Sequence, residues 1–101
     1  MRRVSKTETT KTFDNDYQRL PDEIKQKLKD KLKKFCGTTL DRIPYGFRFE
    51  KLKGYKNPSI HSIHITGNHA YKLSFELRDT EEGTIMVLRR VGSHADIDRA
   101  P

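Results

Sequence analysis

The spacing of apolar residues separates a helical N-terminal part of the chain from a strand-forming remainder. Apolar positions first recur every three or four residues, which defines one face of an α-helix. Pro21 interrupts this run and suits the first turn of a second helix, and Gly37 suits its end. The pattern therefore predicts an antiparallel helix pair that buries Phe13, Tyr17 and Leu20 from one helix and Ile24, Leu28, Leu32 and Phe35 from the other.

The segments on either side of the helix pair favour strands. Residues 2–10 suit a short edge strand, and Thr10 or Thr12 suits the N-cap of the first helix. Beyond residue 46 the apolar period changes to two, and turn-forming residues separate four strand segments at 47–54, 60–66, 71–78 and 84–91. This order predicts an α+β fold, in which an N-terminal strand and the helix pair pack on one face of a mainly antiparallel, four-stranded sheet.

Alternation along the strands predicts which side chains share a face of the sheet. Tyr71, Leu73, Phe75 and Leu77 form an apolar face, which we expect to pack on the helices. The opposite face is expected to be polar and partly open, with His64 and Lys72 on it. Residues 85–88 are apolar at every position, which is typical of a central strand.

Length and charge restrict the class of protein. The 101 residues fit a single domain, 1–101, and 21 Lys and Arg against 14 Asp and Glu give a net charge of +7. Such a balance favours a polyanionic partner, either nucleic acid or an acidic protein. The second helix carries six lysines opposite its apolar face; a solvated surface is the simpler interpretation and RNA or ribosome contact the alternative. These are Lys25, Lys27, Lys29, Lys31, Lys33 and Lys34.

Cysteine content and hydropathy favour the cytoplasm. Cys36 is the single cysteine, so the chain forms no internal disulfide and no cysteine-based zinc site. No stretch reaches the ~18 apolar residues that suggest a membrane span. The basic start, Met1–Arg3, is not followed by the apolar segment of a secretion signal. We therefore expect a cytoplasmic protein with no membrane partner.

The order of elements and several short motifs resemble the RelE/ParE superfamily of toxin–antitoxin toxins across nearly the whole chain. The resemblance rests on the order and spacing of the motifs together. The terminal Gly-Ser-His-Ala-Asp is similar to the YafQ-type branch, and Glu-Lys-Leu-Lys-Gly is similar to the YoeB-type branch. The motifs are Leu20–Pro21, Phe49–Gly54, His61–Ile65, Ala70–Phe75 and Val91–Asp96.

This resemblance implies a RelE-like fold with a microbial RNase-like arrangement and a ribosome-dependent endoribonuclease, or mRNA interferase, that inhibits translation. It further implies metal-free chemistry without a cofactor, and two partners: the ribosome with its mRNA, and a cognate antitoxin. From the charge we expect the antitoxin to bind through an acidic or partly disordered segment.

Metal-free RNA cleavage needs a base for the 2′-hydroxyl, cations for the phosphorane and an acid for the leaving 5′-oxygen. The resemblance assigns Glu50 as a base, His64 as base or acid, Lys72 as the phosphorane-stabilising cation and His94 as the general acid. Each could instead be structural or solvated. His61 is expected to be structural, and His69, in a turn, could assist. Candidate RNA- or ribosome-binding residues are Arg48, Lys51, Lys53, Arg89 and Arg90, of which the last two should lie on opposite strand faces.

The C-terminus departs from the resemblance. Related toxins place a base-stacking aromatic residue soon after the terminal histidine, where this chain has Ile97, Asp98 and Arg99. Asp98 should repel phosphate unless it pairs with Arg99. Stacking could come from Tyr45, Tyr55 or Tyr71 instead.

Two other classes of function stay open. A ParE-like member would poison DNA gyrase through protein contacts and perform no chemistry. A basic RNA-binding module, or a catalytically weak toxin that mainly binds its antitoxin, would bind without cleaving.

Overall fold

The computed structural model describes residues 2–56, 58–68 and 70–101, so the predicted role of His69 lies outside the described residues. Strand β1 leads into two helices, α1 and α2, and short 3₁₀ turns then connect to strands β2 to β5 and a final helix, α3. In chain order the elements are β1 (Val4–Thr9), α1 (Lys11–Gln18), α2 (Asp22–Cys36), β2 (Glu50–Lys51), β3 (His61–His64), β4 (Tyr71–Thr80), β5 (Gly83–Ser93) and α3 (His94–Arg99).

All five strands form one sheet in the order β1-β5-β4-β3-β2. β1 pairs with β5 in parallel, and the other three pairings are antiparallel. The predicted α+β class is therefore confirmed, and the N-terminal strand adds a fifth strand at the edge. β5 lies between β1 and β4, which explains why residues 85–88 are apolar on both faces, as the sequence predicted.

The helix pair forms where the local signals place it. Thr10 caps α1, since its Oγ accepts a hydrogen bond from the amide of Phe13 at 3.1 Å. Pro21 is the N-cap of α2 and Gly37 its C-cap. Phe35, fully buried, meets Phe75 edge-to-face at a centroid distance of 5.4 Å. The apolar stripes of both helices therefore pack on the predicted apolar face of the sheet.

The opposite face of the sheet is less open than the sequence predicted. Helix α3 and the residues after it lie across this face, where Ile97 is fully buried and Lys72 is only 3% exposed. Ser93 caps α3 by accepting a hydrogen bond from the amide of Asp96. Ser74, also fully buried, donates a hydrogen bond to the carbonyl of Pro101 at 2.9 Å. The sequence missed α3 because six residues with one buried apolar side chain show no helical period.

A β-bulge in β5 corrects the predicted orientation of the two arginines. Ser74 pairs with Arg90 and Phe75 pairs with Leu88, which leaves Arg89 as the extra residue. Arg89 Nε donates to the carbonyl of Pro101 at 3.3 Å, and Arg90 Nη1 donates to that of Ala100 at 3.2 Å. The prediction that they occupy opposite faces was wrong, since both side chains reach the C-terminal segment.

None of the helices in the described parts of the chain combines the length and the apolar character that crossing a bilayer requires.

Candidate active site

An open cleft of about 600 Å³ lies beside strands β2, β3 and β4 and the start of α3. It contains all four residues that the sequence singled out for catalysis, each from a different element. Two of the predicted RNA-binding residues line it as well, together with Asp98 and three further residues. The lining residues are Arg48, Glu50, Leu52, Lys53, Tyr55, His64, Lys72, His94, Asp98 and Pro101.

Sheet register explains why residues distant in sequence meet here. His64 of β3 lies directly opposite Lys72 of β4, and Lys72 lies opposite Gly92 of β5. Two residues beyond Gly92 the chain enters α3, which places His94 beside His64. The ring centroids of these two histidines are 5.2 Å apart, with an interplanar angle of 78°. The cleft therefore holds two imidazoles in edge-to-face contact next to a lysine.

Lys72 carries the buried positive charge of the cleft. Its side chain is 4% exposed, and its ammonium lies 2.7 Å from Oδ1 of Asp98 and 3.5 Å from Oε1 of Glu50. A buried ammonium requires such partners, because burial without an opposite charge costs several kcal/mol. Both carboxylates are about half exposed, so Lys72 is held by groups that also face the cleft.

Asp98 links the lysine to the C-terminal histidine. Its Oδ2 lies 2.7 Å from Nδ1 of His94, one helical turn earlier on α3. The hydrogen bond from Lys72 is the main cause that lowers the pKa of Asp98 below its ordinary value, with further contributions from the charges of Lys72, His94 and His64. An ionised carboxylate only accepts hydrogen bonds, so Nδ1 of His94 bears the proton of this contact.

This geometry leaves the other nitrogen of His94, Nε2, as the group able to exchange protons with a ligand. The cleft thus combines a buried cation, a carboxylate and two histidines, which are the components that acid–base chemistry on a phosphodiester requires.

Arg48 occupies an unusual backbone conformation at the mouth of the cleft. Its φ of 52° lies in the left-handed region, which side-chain-bearing residues seldom adopt. The guanidinium lies 4.5 Å from the ring centroid of Tyr45 and donates a hydrogen bond to its hydroxyl at 2.6 Å. This contact fixes a positive charge beside the cleft.

The structure separates three of the predicted binding residues from this cleft. Lys51 lines a different groove together with His61, on the side of the sheet away from His94. Arg89 and Arg90 line a third groove next to the C-terminal segment. The sequence allowed one of the two to join the candidate site, but neither lines this cleft.

Asp98 is the site residue whose contacts the sequence reasoning missed. The sequence allowed it only a pairing with Arg99, but the structure pairs Arg99 with Asp96 at 2.9 Å. The available signal was the spacing of His94 and Asp98, since residues four apart share a face once the segment is helical.

His61 lies where the sequence predicted a structural histidine. Its ring packs against those of Phe49 and Phe75, with centroid distances of 5.7 and 5.9 Å, and these two rings also contact each other at 6.1 Å. Burial is the main cause that lowers its pKa, aided by the charges of Lys51 and Arg2.

Within residues 2–56, 58–68 and 70–101, no group of three or more His, Cys, Asp or Glu side chains is placed to hold a metal ion.

Comparison with known proteins identifies the fold. No protein-family model and no curated protein matches the chain. Among solved structures, a chain in the E. coli DinJ-YafQ toxin-antitoxin complex matches with a TM-score of 0.70 at 20% identity, covering 96% of this chain and 98% of that one. The RelB-RelE antitoxin-toxin complex from Methanococcus jannaschii matches with a TM-score of 0.60 at 22% identity, covering 93% and 99%. The YoeB/ParE toxin from Agrobacterium tumefaciens matches with a TM-score of 0.63 at 19% identity, covering 88% and 98%.

The chain therefore has the fold of toxin–antitoxin toxins over nearly its whole length. More particularly, it is the RelE/ParE fold that the sequence resemblance predicted.

Proposed function

We propose that the chain is the toxin of a type II toxin–antitoxin system and that it cleaves mRNA on the ribosome, inhibiting translation in the cytoplasm. The observation that carries this proposal is the convergence of Glu50, His64, Lys72 and His94 in one cleft of a RelE/ParE fold. A chain that only contacts a protein has no need for two histidines, a carboxylate and a buried lysine around one space.

The proposed reaction needs no metal or cofactor. Glu50 or His64 takes the proton of the 2′-hydroxyl, and the 2′-oxygen attacks the phosphorus. The bond to the 5′-oxygen breaks, a 2′,3′-cyclic phosphate forms, and His94 gives the leaving oxygen its proton through Nε2. The Glu50 side chain is 55% exposed and borders the cleft, so an RNA ribose can reach it.

Lys72 is proposed to stabilise the phosphorane as a point charge. Its burial strengthens this role, because a charge shielded from water acts more strongly on a phosphate than a solvated one. Its two carboxylate partners hold the ammonium in place but also offset its charge. A phosphate entering the cleft must therefore compete with Asp98 and Glu50.

Asp98 is proposed to be a positioning residue. By accepting the Nδ1 proton of His94, it orients the imidazole with Nε2 toward the reaction and stabilises the imidazolium, which is the form that carries the Nε2 proton. The carboxylate takes no part in breaking the phosphodiester bond.

The binding partners follow from charge and fold. Arg48 and Lys53 line the cleft and are proposed to contact RNA phosphates there. Lys51, Arg89 and Arg90 are proposed to contact RNA or the ribosome outside it. Since two of the similar structures are toxin–antitoxin complexes, we propose a cognate antitoxin that presents an acidic or partly disordered segment to this chain of net charge +7.

Toeprinting on programmed ribosomes tests the nuclease. Purified wild-type protein is expected to produce discrete cuts in the A-site codon, and His94→Ala should abolish them. Arg99→Ala is the matched control, because Arg99 lies on the same helix, is 79% exposed and does not line the cleft. Absence of cuts from folded wild-type protein would refute the proposal. Cuts that persist in His94→Ala would leave the nuclease proposal standing and assign the role of general acid to His64.

One observation favours a second candidate, a catalytically weak toxin that mainly binds its antitoxin. The ion pairs of Lys72 with two carboxylates reduce the net positive charge available to a phosphate. This candidate predicts tight antitoxin binding without cuts, and no inhibition of DNA gyrase supercoiling. Gyrase inhibition without cuts would indicate the ParE-like class instead.

A further inference from the structure

A second groove continues from the catalytic cleft across Tyr55 and Pro101, which line both. It has a volume of about 560 Å³ and lies along the C-terminal segment. The two spaces therefore form one track, with Tyr55 at their junction. The residues lining the second groove are Thr10, Thr12, Tyr55, Lys56, Pro58, Ile60, Arg89, Arg90, Ala100 and Pro101.

The second groove is basic. Its lining contains Lys56, Arg89 and Arg90 and, within the described residues, no acidic side chain. Two acidic residues that do not line the groove hold the guanidinium groups of the arginines in place. Arg89 donates to Glu76 at 2.6 Å, and Arg90 makes two hydrogen bonds to the carboxylate of Asp16. About a third of each arginine side chain stays exposed, so both can still donate to an anion in the groove.

Tyr55 is one of two large apolar side chains that are exposed in the described residues, the other being Tyr45. The ring of Tyr45 is already occupied by the guanidinium of Arg48 and lies outside both spaces of the track. Tyr71 lines neither space. A turn at Gly54, with φ of 85°, precedes Tyr55 and needs the conformational freedom of glycine. Of the three candidate tyrosines, only Tyr55 borders the cleft.

We propose that Tyr55 stacks on a base of single-stranded RNA and that the basic groove binds the phosphate of a nucleotide flanking the cleavage point. This inference rests on the proposed function and adds a second subsite to it. An aromatic ring between two spaces that bear cations is the arrangement that single-strand binding proteins use, because rings bind base faces while cations follow the backbone. An acidic peptide would use the cations but would have no base to place on the ring.

Fluorescence anisotropy with an uncleavable probe tests the subsite. The probe is a fluorescein-labelled 2′-O-methyl hexaadenylate, whose blocked 2′-oxygen prevents attack on phosphorus. Tyr55→Ala is expected to raise Kd about tenfold, within the range for loss of one stacked base, and Tyr55→Phe should retain affinity. Gln18→Ala, at an exposed residue of α1 that lines neither space, is the control and should change Kd less than about twofold. Lys56→Gln should reduce the slope of log K against log salt by about 0.7.

Two further probes separate base stacking from other causes. On an abasic oligomer with the same backbone, wild type and Tyr55→Ala should bind equally, because no base is present to stack. A fluorescein-labelled decaglutamate should likewise show no dependence on Tyr55. Equal Kd values for wild type and Tyr55→Ala on the hexaadenylate would refute the subsite, as would a loss of equal size on decaglutamate, which would indicate a peptide-binding surface.

The binding assay tests the subsite and the toeprint tests the nuclease, so either proposal can be refuted without the other. Cuts in the toeprint together with Tyr55-independent binding would refute the subsite alone. Tyr55-dependent RNA binding without cuts would keep the subsite and refute the nuclease.

Discussion

Replacing Asp98 tests how much its ion pair with Lys72 contributes to the stability of the protein. Asp98→Asn removes the negative charge that lies 2.7 Å from the ammonium but keeps the size of the side chain and one acceptor oxygen. Lys72, with 4% of its side chain exposed, would then keep only Glu50, which is 3.5 Å away and 55% exposed. The variant therefore leaves a buried cation partly uncompensated.

The distance and the exposure together set the size of the effect. Across 2.7 Å, the attraction is about 1.5 kcal/mol in water-like surroundings and about 6 kcal/mol at an effective dielectric constant of ~20. Because the Asp98 side chain is 45% exposed, solvent screening places the pair near the lower limit. We expect Asp98→Asn to reduce the free energy of unfolding by about 2 kcal/mol.

A double-mutant cycle isolates this interaction. Lys72→Met removes the buried charge and is expected to be neutral or stabilising, since an apolar side chain needs no partner. In the Lys72→Met background, Asp98→Asn should cost less than about 0.5 kcal/mol. The measurement is urea unfolding at neutral pH, followed by far-ultraviolet circular dichroism.

A matched control lies on the same helix. Asp96 pairs with Arg99 at 2.9 Å, but both side chains are more than half exposed, so Asp96→Asn should cost about 0.5 kcal/mol or less. An equal loss from Asp98→Asn with and without Lys72 would refute the reasoning, because the effect would then not come from the ion pair.

Three further predictions follow from single contacts. Since the pKa of Asp98 is lowered from its ordinary 3.8, the stability it contributes is present above that pH and is lost as pH falls further; urea unfolding in acid should show a smaller decline for Asp98→Asn than for wild type. Burial lowers the pKa of His61 from 6.5, so the unfolded chain binds a proton at a higher pH than the folded chain does, and stability falls as pH drops below 6.5. His61→Phe should remove this part of the decline in stability. An unchanged dependence of stability on pH would contradict the prediction. Asp16 is 8% exposed and accepts hydrogen bonds from Arg90 and from the amide of Val91. Chemical denaturation should therefore show that Asp16→Ala reduces the free energy of unfolding by about 2 kcal/mol. A loss below about 0.5 kcal/mol would show instead that water replaces these hydrogen bonds.

The elements built from local periodicity were predictable from the chain alone. Phe13 and Leu20, like Leu28 and Phe35, are buried where the helical spacing placed them, because side chains three or four residues apart share one side of a helix. Pro21 and Gly37 marked the helix boundaries through backbone geometry, which depends only on the residue itself and its neighbours. The alternation in β4 likewise predicted which face meets the helices.

The candidate site was predictable in composition and only partly in arrangement. Motif resemblance singled out Glu50, His64, Lys72 and His94, and the structure brings their side chains to one cleft. Whether they act in catalysis stays a prediction. The same resemblance could not place Lys51 in another groove, because a two-residue strand at a sheet edge has too short a pattern to fix its orientation.

Only the tertiary structure decided what covers the polar face of the sheet. Helix α3 has too few apolar residues to show a period, yet its packing buries Lys72 and brings Asp98 between that lysine and His94. The bulge at Arg89 turns two arginines toward the C-terminal segment, and its position depends on pairing with β4. Burial and ion pairing of this kind depend on contacts between residues 22 to 75 positions apart. Local sequence therefore determined the helices and strands, and long-range packing determined which charges meet.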